Sequence, residues 1–268
     1  MTEAHRELLR RGVGALRRST FWWAVGIAAL TLVTVAFWPS LEGTDALTEL
    51  GNSSEGLLEA FGVQDIASPA GYLDGQMYAL MLPLLLSGMA IAQVTAITSG
   101  DEDAGRLELL LALPVRRRAV WLWRFVAVVL ALVAVAMATA GIVATTLGPF
   151  SLDEVSPSRV ATATLACTLL GSFHAAVAFA AGGAGCRRGL SAGIAVLVLV
   201  AGYVGNFLVP LSEPLQGARR WSPWYWAIGE QPVSDGVSPG RLLVLVLVSA
   251  GLVVAGLVAV ERRDVRSA

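Results

Sequence analysis

Side chains able to do chemistry are few in this sequence, and they sit in two places. Inside its long apolar runs lie three polar residues, Gln93, His174 and Asn206. Polar groups within a membrane span are costly, so they mark pathways, proton relays or interhelical contacts. Only His174 can carry a proton, and a lone histidine in a span more often makes an interhelical hydrogen bond. We read the three as a possible pathway.

The second place is the segment 98–118, which reads Thr-Ser-Gly-Asp-Glu-Asp-Ala-Gly-Arg-Leu-Glu-Leu-Leu-Leu-Ala-Leu-Pro-Val-Arg-Arg-Arg. Acids lead and arginines close, the order that suits the dipole of a helix. Glu102 and Arg106 are four residues apart and can pair. Leu107, Leu110 and Leu111 share one helical face, and Pro114 stops the helix. The segment is a short helix with an apolar face and charged ends. It either lies on the membrane surface as a connector or docks a cytoplasmic partner; the residues alone leave both open.

Nothing else suggests catalysis. There is no lysine, so no G-x-x-x-x-G-K-[ST] phosphate loop can exist. H-E-x-x-H does not occur. The two histidines, His5 and His174, are far from any cysteine pair. Cys167 and Cys186 would lie about 28 Å apart along one helix, beyond the roughly 7 Å a disulfide tolerates, so they are expected to be small apolar fillers. No catalytic residue, cofactor or metal site is expected in this chain, and nothing points to nucleic acid.

The elements that must position these residues are set by hydropathy. Of 268 residues 56% are hydrophobic and only 15% charged, with mean hydropathy +0.68, well below the charge of a soluble domain. Six apolar runs stand out, at about 21–38, 77–97, 125–147, 160–185, 190–211 and 242–260. Each is long enough to cross a hydrocarbon core of about 30 Å. Since backbone groups in lipid must be satisfied within the segment, the runs are helices. The expected fold is an all-α integral membrane protein, one transmembrane domain over 1–268. Pro83 should kink the second span. Gly171, Ala175, Ala178 and Gly182 should allow close packing of the fourth. In the first outer loop Leu47, Leu50, Leu57, Leu58 and Phe61 suit short surface helices. Trp221, Trp224, Tyr225 and Trp226 read as an interfacial belt, ahead of a substrate-contacting surface.

Fifteen of the nineteen arginines fall at the N-terminus, between spans two and three, between four and five, and in the tail. The first loop between spans carries seven acids and no arginine. The positive-inside rule then puts both termini in the cytoplasm. Arginine as the only basic residue looks like the composition of a GC-rich bacterial genome, which makes the bacterial plasma membrane the expected location.

The 98–118 segment also resembles the signature of ABC-2 type transporter permeases, E-x-x-G-x-L-E-x-L-L-A-x-P-V-x-R. Glu102, Gly105, Leu107, Glu108, Leu110, Leu111, Ala112, Pro114, Val115 and Arg117 occupy its places. Ser68-Pro69-Ala70-Gly71-Tyr72-Leu73, Ser222-Pro223-Trp224-Tyr225-Trp226 with Gln231-Pro232-Val233 and Gly236, and Glu261-Arg262-Arg263-Asp264-Val265 look like the same family. Trp224 stands where Phe is common and Gln231 where an acid is common. The resemblance implies the membrane subunit of an exporter, working as a homodimer or with a paralogous permease. It implies two cytoplasmic ATPase subunits that hold the ATP and magnesium. A coupling helix, with Glu102, Gly105, Arg106, Leu107, Glu108, Leu110, Leu111, Pro114 and Arg117, would dock into the ATPase, and Glu102 would make a charge-assisted contact there. An amphipathic helix, Glu3 to Arg18 with Leu8, Leu9, Val13 and Leu16, would lie along the inner membrane surface. Two other readings remain. A stand-alone secondary carrier predicts a mid-membrane charge or an internal repeat, and neither is seen. A non-transporting scaffold or assembly factor could retain a docking helix.

Overall fold

The computed structural model describes residues 3–41, 68–105, 116–208, 213–229 and 231–263. Among the described residues there is no strand. The elements are α1 (Glu3–Leu41), α2 (Pro69–Leu73), a π-helical turn (Asp74–Tyr78), α3 (Met81–Ile97), α4 (Ser99–Asp103), α5 (Arg117–Thr146), α6 (Pro157–Gly183), α7 (Arg188–Phe207), a 3-10 helix (Glu213–Trp221), α8 (Pro223–Ala227) and α9 (Pro239–Arg262). Six units are long and apolar enough to cross a membrane: α1, the run from α2 through α4, α5, α6, α7 and α9.

The helices overrun the apolar stretches because their ends are set by local chemistry as well as by hydropathy. Four of them start at Ser-Pro: Ser68-Pro69, Ser156-Pro157, Ser222-Pro223 and Ser238-Pro239. Proline suits the first helical position, where its missing N–H is no loss. Ser68 and Ser222 also accept hydrogen bonds from the backbone amides of Gly71 and Trp224, the usual service of a serine cap.

One expectation needs revision. The N-terminal segment is not a separate interfacial helix. Glu3–Leu41 is one continuous helix of 39 residues, about 58 Å long at 1.5 Å per residue. Its first turns pack on α5 instead of lying free on a surface. The His5 ring sits 5.6 Å from that of Trp123, and Gly12 lets the two backbones close up: a Cβ there would lie 3.0 Å from the Cβ of Ala127. Of the expected apolar face, Leu16 is buried and Leu9 packs on the core, while Val13 is exposed. Pro83 disrupts the second span, in line with expectation. The helix is interrupted just before it, at Ala79–Leu80, and restarts at Met81, so Pro83 sits in the first turn of α3. The proline ring would clash with the carbonyl four residues back, and the interruption falls at that residue.

The central helix is α6. It packs against α3, α5, α7 and α9, while α1 lies outside on α5 and α3. Glycines decide how closely. A Cβ on Gly171 would lie 3.1 Å from Leu132 and 3.2 Å from the carbonyl of Leu86. A Cβ on Gly183 would lie 2.5 Å from the carbonyl of Gly256, so α6 and α9 cross backbone to backbone. Ala175 and Ala178 are buried in the same helix. Small residues are the usual means of close approach between membrane helices, where burial from water supplies no driving force. The leucines of the first outer loop lie outside the described residues.

Candidate functional site

Three consecutive acids turn the end of the second span into a junction. Helix α4 is short, Ser99-Gly100-Asp101-Glu102-Asp103, and each acid reaches a different helix. Asp101 accepts from Arg124 of α5 at 2.7 Å. Asp103 accepts the backbone N–H of Arg188, at the start of α7, at 2.8 Å. Glu102 is gripped by Arg263, just past the end of α9: Nη1 and Nη2 donate to Oε1 and Oε2 at 2.5 and 2.6 Å. That parallel two-point geometry is the strongest form of carboxylate–guanidinium pairing.

Arg263 is itself oriented by what surrounds it. Its Nε donates to the carbonyl of Gly183 at 2.8 Å and its Nη2 to that of Gly182 at 3.2 Å, both in the last turn of α6. The guanidinium also lies 5.9 Å from the Trp121 ring. Arg117 Nη1 donates to the Arg263 carbonyl at 3.1 Å, and Arg118 pairs with Glu261 at 3.2 Å. Ser99 sits against Gly182, where any side chain would collide with its hydroxyl. The arginine-rich ends of five of the six spans are thus joined through one seven-residue stretch, 99–105.

This changes the reading of the candidate coupling residues. Glu102 is only 6% exposed, and both of its oxygens are engaged by Arg263 within the chain. Gly105 ends α4 with φ +69, a backbone conformation that glycine adopts without a steric penalty, and its N–H closes the turn on the Glu102 carbonyl at 2.9 Å. The acids therefore occupy a helix that ends at Asp103. Arg117 joins the junction. Arg106, Leu107, Glu108, Leu110, Leu111 and Pro114 lie outside the described residues.

The three polar residues inside the spans do not come together. Gln93 donates to the Thr20 hydroxyl of α1 at 3.1 Å. His174 Nδ1 lies 3.0 Å from the Ser87 hydroxyl of α3, an interhelical bond of the expected kind. Asn206 donates to the Gly229 carbonyl at 3.2 Å and accepts from Arg219 at 3.2 Å. All three are buried, each bonded in a different place.

At the opposite end the reading missed Asp74. It is fully buried in the π-helical turn. Its carboxylate accepts the amides of Val233 and Ser234 at 2.8 and 2.9 Å and the Ser234 hydroxyl at 2.8 Å. Arg159 donates to the Ser234 carbonyl from the other side at 2.9 Å. The loop before α9 is thereby clamped to the second and fourth spans. The aromatic cluster splits. Trp221 is 82% exposed, as a belt residue would be, but Trp224 is fully buried. Its indole donates to the Leu199 carbonyl at 3.1 Å, and it fills the slot left by Gly202, where a Cβ would lie 2.9 Å from its ring. Tyr225 lies between Arg219 and Arg241, 5.3 and 4.7 Å from its centroid.

Among the described residues no group of three acids, histidines or cysteines could hold a metal, and Cys167 and Cys186 are free thiols. The sequence profile of the family described as multidrug efflux system permease Rv1217c, C-terminal domain, matches residues 14–260. No curated protein matches the chain.

Proposed function

The chain belongs to the family of the multidrug efflux system permease Rv1217c, C-terminal domain, and on that premise we propose that it is the membrane subunit of an ATP-driven exporter of the ABC-2 type. A separate cytoplasmic ATPase subunit supplies the energy, since no lysine-bearing phosphate loop can exist here. The substrate passes outward between two permease copies, and the arginine-rich end faces the cytoplasm, in keeping with the positive-inside rule. The thin burial of α9, α1 and α7, whose apolar windows are 17%, 28% and 33% buried, leaves ample surface for a second copy and for lipid.

The observation that carries this reading is the junction at 99–105. In an ABC-2 type exporter the ATPase pushes on the segment between the second and third spans. Here the start of that segment is bonded to α5, to α7 and to Arg263 at the end of α9, which in turn holds the end of α6. A displacement delivered at 106–115 would be passed to several spans through short charge-assisted bonds, which a loose connector could not do. Glu102, in this account, is a positioning residue that fixes the lever, and the contact with the ATPase is made further along, by 106–115.

The test is co-expression with an ATPase subunit encoded beside this chain, followed by reconstitution. We expect a stable complex whose ATP hydrolysis responds to the permease. Leu107→Asp with Leu111→Asp should abolish complex recovery while leaving the permease inserted. Unchanged complex recovery and ATPase activity in that variant would refute the assignment of 106–115.

A further inference from the structure

Beside α1, on the face toward α5, runs an open cleft of about 470 Å³. Its origin is a pattern of small side chains. At one end Gly12 brings α1 onto Ala127. From there α5 presents Ala127, Ala131 and Ala134, spaced four and three residues apart and hence on one face. The cleft extends along α1 from Val13 to Ala24, about 16 Å at 1.5 Å per residue, which is the depth of one leaflet in a hydrocarbon core of about 30 Å.

One cation lines this cleft, Arg17. Among the described residues it makes no ion pair, and neither do Arg6 and Arg18 on the same helix, which do not line the cleft, whereas Arg10 and Arg11 pair with Glu7 and Arg124 pairs with Asp101. A charge at the edge of a membrane span needs a counter-charge or water. The other polar residue of the lining, Thr20, already accepts a bond from Gln93. A second cleft, between α1 and α3, holds Trp22 and Trp23 but no charged residue, so nothing there selects an occupant.

We propose that the α1–α5 cleft binds one anionic phospholipid, with its phosphate on Arg17 and one acyl chain along the alanine face of α5. The two features demand different parts of the same molecule. A free phosphate would leave a leaflet-deep apolar cleft open, and a neutral lipid would leave Arg17 without a counter-charge. Such a lipid joins α1 to α5 over the turns where the helices have separated, and it makes the seating of α1 depend on the charge of the inner leaflet. The inference rests only on the spans and on Arg17, so it stands or falls independently of the ATPase assignment.

The experiment uses the full chain, purified in detergent and stripped of lipid. Thermal unfolding is followed with phosphatidylglycerol, phosphatidylcholine and glycerol 3-phosphate. We expect phosphatidylglycerol to raise Tm well above phosphatidylcholine, and glycerol 3-phosphate to do nothing. Arg17→Gln should reduce the preference for phosphatidylglycerol over phosphatidylcholine about fivefold, the usual contribution of one arginine near an anionic surface. Ala134→Leu should weaken binding of both lipids, and Arg10→Gln, outside the cleft, should change neither. A photoactivatable phosphatidylglycerol should label peptides 13–24 and 127–135 in the unmodified chain, which keeps the test open even where a variant folds poorly. Full anionic preference in Arg17→Gln, an equal effect of glycerol 3-phosphate, or labelling confined to other helices would overturn the proposal. So would crosslinks from Ala131 to a second copy of the chain that exclude lipid.

Discussion

Removal of the Glu102 carboxylate should cost more than the loss of one surface ion pair, and the geometry says how much more. The Glu102 side chain is 5% exposed and that of Arg263 is 20% exposed, so the pair is largely shielded from water. Breaking a buried pair from one side costs about 3–5 kcal/mol, because the remaining charge stays buried without its partner. Two features move the estimate to the low end. Arg263 keeps its bonds to the carbonyls of Gly182 and Gly183, and a long arginine side chain at a helix end can turn toward water. We expect Glu102→Ala to destabilise the protein by about 3 kcal/mol. Arg263→Ala should cost at least as much, since it also strands the end of α6. The double variant should cost less than the sum by about 2 kcal/mol, as directly paired groups do. The assay is reversible unfolding in a lipid–detergent mixture for the wild type, both single variants and the double variant. If the two effects add to within about 0.5 kcal/mol, the two residues are not coupled and the junction does not work as described. A functional arm follows from the same cycle. The ATPase response to the permease should fall further than recovery of the complex, because the lever would be attached to the ATPase but loose from the spans.

Three other outcomes are expected. Gly183→Val should destabilise the protein by about 1–3 kcal/mol through overpacking against Gly256, whereas Gly193→Val, where a Cβ meets nothing within 4 Å, should be silent; equal effects in unfolding titrations would refute the backbone crossing of α6 and α9. Asp74→Ala leaves two amides and a hydroxyl without their acceptor, at a cost on the order of 3 kcal/mol. It should open the loop before α9 to proteolysis, and an unchanged cleavage rate would show that Asp74 is not the clamp. In a background with Cys167 and Cys186 replaced by alanine, Ser156→Cys should label from outside intact cells and Arg116→Cys should not; the reverse would overturn the orientation.

Some of this protein was legible in the sequence because it depends on local quantities. Whether a stretch of about 20 residues can sit in hydrocarbon is a property of that stretch alone, so the six spans could be read directly. The arginine asymmetry was equally available, since it needs only the alternation of spans. That same alternation put Glu102 and Arg263 at one end of the bundle, but several acids and many arginines share that end, and nothing in the chain says which pairs form. The Glu102–Arg263 and Asp74–Ser234 contacts join residues 161 and 160 positions apart, and no helical period relates such positions. The isolated properties of Glu102 suggested an outward-facing charge, and only the packing of α9 against α6 brings Arg263 over it. Asp74 looked like one more acid in an acidic loop until the π-helical turn carried it beneath the loop before α9. The extent of α1 escaped for a related reason. Hydropathy ends at the membrane boundary, whereas a helix continues for as long as its backbone bonds and its contacts with α5 support it. Sequence thus settled what enters the membrane, and tertiary structure settled which charges meet at its edge, because transfer into lipid is a sum over one segment while an ion pair requires two segments to be placed within about 3 Å of each other.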